Sequence, residues 1–270
     1  MNENVILIAL AVLPVFILAF YVYRKDKFEK EPFPMLVKAF IFGGLSIIPA
    51  IILEMFLTSA YSSFGEDLPG YVGGIYTGYI VAGCSEELCK LLLLWLAVWH
   101  SRHFNEYFDG IVYAAFVSLG FAGLENIGYV FDQGTYASAI ATGTARAIFS
   151  VPGHFLFGVV MGYYFSLAKF QPERRFANLF KAFFFPMLLH GTYDALLMVS
   201  ETFEADMIWI TGPLFILFIY FDIKLWKIGV RRLRHLQDLS REQHPEWDED
   251  ENDNLPPANN DQFSGINWNV

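Results

Sequence analysis

Long apolar runs separated by short polar connections fill the first 225 residues. Each run is longer than a soluble core helix needs. A hydrocarbon core about 30 Å thick requires about 20 residues of apolar helix. The pattern therefore predicts membrane spans at about 4–23, 35–61, 71–99, 109–131, 140–168, 179–200 and 207–223. The connections Arg24–Pro34, Ser62–Gly70, His100–Phe108, Asp132–Ala139, Lys169–Asn178 and Glu201–Asp206 hold the polar and turn residues. Spans longer than 25 residues imply tilt or helices that project past the lipid. The first span has an acidic start, Met1-Asn2-Glu3-Asn4, and no small-residue cleavage site, so it reads as an uncleaved anchor. The expected fold is an all-α membrane protein, a bundle of about seven transmembrane helices.

Composition agrees with the pattern. Of 270 residues, 55% are apolar and 17% charged, whereas soluble domains carry about a quarter charged residues. This excludes an ordinary cytosolic enzyme, a nucleic-acid binder and a secreted disulfide scaffold. The net charge of −10 is uneven, because residues 241–270 contribute −7 of it. A membrane domain is thus expected over 1–235, followed by an acidic tail over 236–270. That tail is rich in Asp, Glu, Asn and Pro, is interrupted by Pro256-Pro257, and reads as a disordered, solubilising end. Cys84 and Cys89 are five residues apart on one presumed helix, too far along it to bridge, and read as buried small residues.

The basic residues report orientation. Sixteen of the eighteen Lys and Arg lie in or beside the connections after spans 1, 3 and 5 or beyond span 7, and none lies in a connection on the other side. The N-terminus is accordingly expected outside and the C-terminus in the cytoplasm. The two that remain, Lys90 and Arg146, fall within spans.

Charges within lipid are costly unless paired or facing a wet cavity, so each marks a candidate functional site. The spans contain Glu54, Glu86, Glu87, Lys90, Glu125, Arg146, His154, His190 and Asp194. Glu86 and Lys90 are four residues apart and share a helix face, while Glu87 points about 100° away. His190 and Asp194 have the same spacing, which lets the carboxylate orient the imidazole. At about 1.5 Å per residue, Glu86, Glu125, His154 and Asp194 lie about 20–24 Å from the basic ends of their helices, and His190 lies about 13 Å from its own. Four helices can therefore close around one polar cavity. Glu54 is placed near the outer surface, outside that site, and Arg146 is expected to support it by pairing with an acidic residue or by sitting near the outer interface. Gly74-x-x-x-Gly78 and Gly158-x-x-x-Gly162 are read as close helix contacts.

Such a cavity suits hydrolysis. A carboxylate beside Lys90 could activate water as a general base, and histidines opposite could stabilise an oxyanion. Alternatively, Glu86, Glu125, His154 and His190 could ligate a metal such as zinc and activate bound water. A proton-coupled transporter, or a non-catalytic receptor or immunity protein, could use the same buried charges. The chain lacks His-Glu-x-x-His and Gly-x-Ser-Gly; Gly83-Cys84-Ser85-Glu86 fails at its last position. Tyr193-Asp194 is half of a presenilin-type site, but no Gly-x-Gly-Asp follows.

Three motifs in order do match a known family. They are Glu86-Glu87-Leu88-Cys89-Lys90 (Glu-Glu-x-x-Lys), Phe121-Ala122-Gly123-Leu124-Glu125 (Phe-x-x-x-Glu) and His190-Gly191-Thr192-Tyr193-Asp194 (His-x-x-x-Asp). On spans 3, 4 and 6 they resemble the PrsW family of bacterial intramembrane proteases, related to the CAAX-prenyl endopeptidases and bacteriocin-immunity membrane proteins. The resemblance covers roughly residues 30–200, and the segment from Arg146 to Gly162 also looks like the family's pattern. The related CAAX branch favours Glu-Glu-x-x-x-Arg and Phe-x-x-x-His. Here Lys90 comes one residue earlier and Glu125 replaces the histidine, which points to the PrsW branch.

The resemblance implies catalysis by Glu86, Glu87 and His190, with Glu125 and Asp194 in the same site. His154 completes that site, and Lys90 and Arg146 support it. It also implies an endopeptidase of the bacterial inner membrane acting on a membrane-anchored protein such as an anti-sigma factor in envelope stress signalling, with either a metal-dependent or a glutamate-driven mechanism.

Overall fold

The computed structural model describes residues 2–65, 67–204, 206–243 and 245, and all regular structure among them is helical. Seven rods follow one another: α1 Glu3–Lys25, α2 Phe33–Ser62, α3 over 70–98, α4 Asp109–Phe131, α5 Tyr136–Phe170, α6 Pro172–Glu201 and α7 Ile208–Gln243. Six of them are long and apolar enough to cross a membrane. The exception is α3, which holds Glu86, Glu87 and Lys90 and falls short of that apolarity.

The rods agree with the expected spans, with two differences. The connection expected over Lys169–Asn178 shrinks to Gln171 and the 3-10 turn Pro172–Arg174. α6 therefore starts closer to the basic end, and His190, counted from Arg175, lies about 22 Å along it, level with Glu86. The second difference is at α7, which was expected over 207–223. It runs to Gln243 with Leu236 and Ser240 buried, and the remainder of the acidic tail lies outside the described residues.

α4 and the Val151–Phe170 part of α5 form the centre of the bundle and are largely buried. α1 and α2 pack on α4, while α6 and α7 pack on α5. The periphery is apolar towards the lipid: Phe16, Ile17 and Phe20 on α1 and Ile216 and Leu217 on α7 are exposed. Because lipid is as apolar as leucine, helix association relies on close backbone approach at small residues. An added Cβ at Gly162 would lie 2.3 Å from the Gly110 carbonyl oxygen, so α4 and α5 touch backbone to backbone there. An added Cβ at Gly191 would lie 2.4 Å from the Tyr79 ring, which shows how tightly α3 and α6 meet.

Two rods contain π-helical turns, Thr77–Cys84 in α3 and Arg146–Ser150 in α5. Such turns are rare and cluster at functional sites. Here each ends within four residues of a buried ionisable group, Glu86 in one case and His154 in the other.

The basic connections gather at one end of the bundle. Lys38 and Lys169 donate at 2.7 Å to the carbonyls of Ala97 and Trp99, capping the end of α3. At the same end, removal from water raises the carboxyls of Asp26, Glu31 and Glu106 to about 6, 7 and 7.

Candidate active site

The polar residues of α3, α4, α5 and α6 converge on one network. Lys90 Nζ donates to Glu86 Oε2 at 3.0 Å and Glu87 Oε1 at 2.8 Å, and it lies 3.1 Å from His154 Nδ1. The ammonium thus pairs with both carboxylates, although Glu87 points away from Glu86 on the helix. It reaches Glu87 because that residue is also three positions from Lys90. Lys90 is fully buried and its charge sits 4.0 Å above the Phe121 ring, which accounts for the aromatic residue of the second motif.

His190 is held from both sides. Its Nδ1 lies 2.9 Å from Glu87 Oε1, and its Nε2 lies 3.2 Å from Asp194 Oδ2 and 3.9 Å from Glu86 Oε2. The ring stacks on Phe157 with centroids 4.8 Å apart and meets the His154 ring edge-on at 5.1 Å. Tyr79 and Thr192 join their hydroxyls across the same α3–α6 contact at 2.7 Å.

Glu125 occupies the other flank. Its Oε2 takes Arg146 at 2.7 Å and lies 2.8 Å from His154 Nε2. With Nδ1 facing an ammonium and Nε2 a carboxylate, His154 satisfies both contacts by accepting from Lys90 and donating to Glu125. Arg146 donates a second bond to Asn126 Oδ1 at 2.8 Å and lies 4.0 Å from the centre of the Tyr129 ring.

This network forms the inner wall of a cavity of about 950 Å³. Glu86, Glu125, Arg146, His154, His190 and Asp194 line it, whereas Glu87 and Lys90 sit behind the wall. Phe215 and Phe218 of α7 face the cavity from one side and Ile47 and Ile51 of α2 from another. Asp132 and Glu201, at the ends of α4 and α6 remote from the basic connections, also line it.

Sequence reasoning set two participants aside. Glu54 lines the cavity; its place in a span was the signal, and the break of α2 at Ser46, where Ser46 Oγ donates to Gly43 O at 2.6 Å, turns that half of the rod onto the site. Asn126 was overlooked, although an amide in a lipid-length span marks a helix contact: it donates to the Ala11 carbonyl at 2.8 Å and accepts from Arg146.

The donor set suits a metal. Glu86, Glu87, His154 and His190 each offer one ligand atom, all within 4.8 Å of one another. Glu87 Oε2 is buried without a hydrogen-bond partner, and imidazole with carboxylate is the donor chemistry of catalytic zinc. This group contains Glu87 and not Glu125, whose Oε2 bonds both Arg146 and His154.

The comparisons with known proteins agree with the motifs. The family described as PrsW family intramembrane metalloprotease matches residues 31–222. The chain is similar to Protease PrsW of Clostridioides difficile (strain 630), 36% identical across 87% of this chain and 93% of the relative. It is 34% identical to Protease PrsW of Geobacillus kaustophilus (strain HTA426), across 88% and 95%. With Protease PrsW of Bacillus subtilis (strain 168) it shares 32% identity across 87% and 97%. No solved structure matches. Motifs, a buried Glu/His site in a helical membrane bundle and similarity across 87% of the chain lead to one conclusion: the chain belongs to the PrsW family of intramembrane metalloproteases.

Proposed function

We propose that the protein cleaves a membrane-anchored substrate near the outer face of the bacterial inner membrane, with Glu86 as the group that activates water. The observation that carries this reading is the division between wall and backing: Glu86 faces the cavity while Glu87 lies behind it.

In this mechanism Glu86 takes a proton from water as it attacks the scissile carbonyl, and later returns it to the leaving amine. His190 keeps Nδ1 on Glu87, and its Nε2–H, which lies on Asp194 at 3.2 Å, turns from that carboxylate to donate to the developing oxyanion. Lys90 pairs with the carboxyls of Glu86 and Glu87 and donates to His154 Nδ1, which fixes the three side chains relative to one another. Glu125, fixed by Arg146, orients His154 through Nε2. A metal bound by Glu86, Glu87, His154 and His190 would lower the pKa of bound water. Those residues would then orient that water within the buried site.

The distribution of Lys and Arg supports an outside N-terminus and a cytoplasmic C-terminus. The cavity, reaching Asp132 and Glu201 at the ends opposite the basic connections, would then open outwards. This suits a first cut in the outer juxtamembrane segment of a substrate such as an anti-sigma factor, which starts regulated proteolysis.

The test is cleavage of a membrane-anchored substrate by the purified protein in proteoliposomes, with metal content measured and activity compared with and without chelator. Glu86→Gln and His190→Ala should each lower the single-turnover rate about 10²–10⁴-fold while the protein stays folded. Full activity in both variants would refute the assignment.

A further inference from the structure

α2 and α4 part halfway along their lengths. In the half nearer the basic connections they touch at glycines: an added Cβ at Gly43 would collide with the Val117 carbonyl, and one at Gly120 with that of Phe40. α2 then breaks at Ser46, whose hydroxyl bonds back to Gly43 O, a contact that bends helices. Just past the break, Ile47 and Ala50 still pack with Phe121. From there α2 follows α3 instead: the Tyr61 and Tyr76 rings stack at 4.7 Å, and Tyr76 donates to the Leu57 carbonyl at 3.0 Å. On the α4 side, an added Cβ at Gly128 would meet nothing within 4 Å.

The gap leads into the catalytic cavity. Ile51 and Glu54 on α2, and Leu124, Gly128 and Tyr129 on α4, all line that cavity. Three of them also face outwards, Ile51 at 46% exposed and Leu124 and Tyr129 at 49% each. Leu124 precedes Glu125, which bonds His154, so the gap lies at the depth of the buried network. The neighbouring seams are closed. An added Cβ would lie 2.6 Å from Ala195 N at Gly78 and 2.9 Å from Val199 N at Gly74, so α3 and α6 meet backbone to backbone. Phe218 of α7, 2% exposed, fills the seam between α5 and α6, its ring 5.6 Å from that of Phe149 and 4.9 Å from that of Tyr193.

A chain that crosses the bilayer keeps its apolar part in lipid, so it approaches a buried site from the side. On the reading that this cavity is where cleavage occurs, we propose that the apolar transmembrane segment of the substrate enters from the lipid between α2 and α4, in the halves remote from the basic connections. The lips Ile51, Leu124 and Tyr129 match an apolar helix, and Gly128 leaves room for its backbone to come close. The α4 lip is anchored, because Arg146 lies 4.0 Å from the centre of the Tyr129 ring and also holds Glu125. Glu54 stands at the α2 lip and makes no hydrogen bond or ion pair among the described residues. Its carboxylate accepts from a peptide N–H that the entering helix exposes as its end unwinds towards Glu86.

Site-specific photo-cross-linking of the full chain in proteoliposomes tests the route. The probe is a tagged single-span protein that the wild-type chain cleaves there. Benzoylphenylalanine replaces Ile51, Leu124, Phe215 or Phe20, one at a time, in the Glu86→Gln background. Adducts with the probe should be several times more abundant at positions 51 and 124 than at 215, on the rival α7 side, or at 20, on the lipid-facing side of α1. Gly128→Trp, whose added side chain starts in open space, should lower both adduct yields by about half or more. In the chain that keeps Glu86 it should slow cleavage about tenfold or more with the apparent Tm unchanged. Yields at 51 and 124 no higher than at 215 or 20 would overturn the route, as would a folded Gly128→Trp that cleaves at the wild-type rate. Adducts form whether or not the bond is cut. Full cleavage by Glu86→Gln would therefore refute the mechanism alone, and the adduct positions would still decide the route.

Discussion

Glu86 and Glu87 are neighbours in sequence with opposite situations, and their variants should separate cleanly. Glu87 is fully buried and shares Oε1 between Lys90 and His190. Removing one partner of a buried ion pair leaves the other charge uncompensated and costs about 3–5 kcal/mol. Glu87→Gln should therefore lower the apparent Tm as well as activity, whereas Glu86→Gln, at the cavity wall, should lose activity with little change in Tm; differential scanning fluorimetry beside a cleavage assay reads both. Arg146 gives a second residue-scale prediction. Arg146→Ala removes the charge partner of Glu125, whose Oε2 keeps only His154, and the donor to Asn126 Oδ1, and should destabilise the protein by roughly 3 kcal/mol. Arg146→Lys should recover part of that loss but not all, because an ammonium lacks the fork that reaches both acceptors. Equal stability of the two variants would show that the pair is not held as described.

Between helices, the decisive contact is α3 against α6. Glu87 meets His190 at 2.9 Å only because Tyr79 lies on Gly191, where no side chain intervenes. Gly191→Ala places a methyl 2.4 Å from the Tyr79 ring and must push the rods apart. Overpacking of this kind costs about 1–3 kcal/mol, and a shift near 1 Å at the site can cost about 10²-fold in rate. Cleavage by Gly191→Ala should therefore drop at least tenfold. Gly212→Ala, in α7 with nothing within 4 Å, should keep its activity and gain up to about 1 kcal/mol from helix propensity. The π-helical turns act at the same scale. Each inserts a residue just before a buried ionisable group, so the face presented by α3 and α5 differs from that of an uninterrupted 3.6-residue period.

For the whole molecule, orientation is the testable property. On a background with Cys84 and Cys89 replaced by alanine, a cysteine at Gly134, in the α4–α5 connection, should react with an impermeant maleimide in intact cells. A cysteine at Glu173, in the α5–α6 connection, should react only after permeabilisation. The reverse labelling pattern would invert the proposed topology and place the cavity mouth in the cytoplasm. The exposed apolar surfaces of α1 and α7 and the burial of α4 and of the Val151–Phe170 part of α5 are what a bundle solvated by lipid on its outside requires.

Much of this was legible in the chain before folding. Span-length apolar runs determined the helical membrane class, and basic residues confined to alternate connections determined which ends share a face. The expense of charge in lipid made Glu86, Glu87, Lys90, Glu125, Arg146, His154, His190 and Asp194 visible one by one, and spacings of four paired some of them along a helix. Helical periodicity, however, sets only the face and depth of a residue on its own rod. The rotation of one rod against another comes from close contacts between distant segments, such as Tyr79 on Gly191 and Gly110 on Gly162. Tertiary structure therefore decided that Glu87, not Glu125, joins the metal-compatible group. It also turned Glu54 to the cavity and parted α2 from α4 beside it.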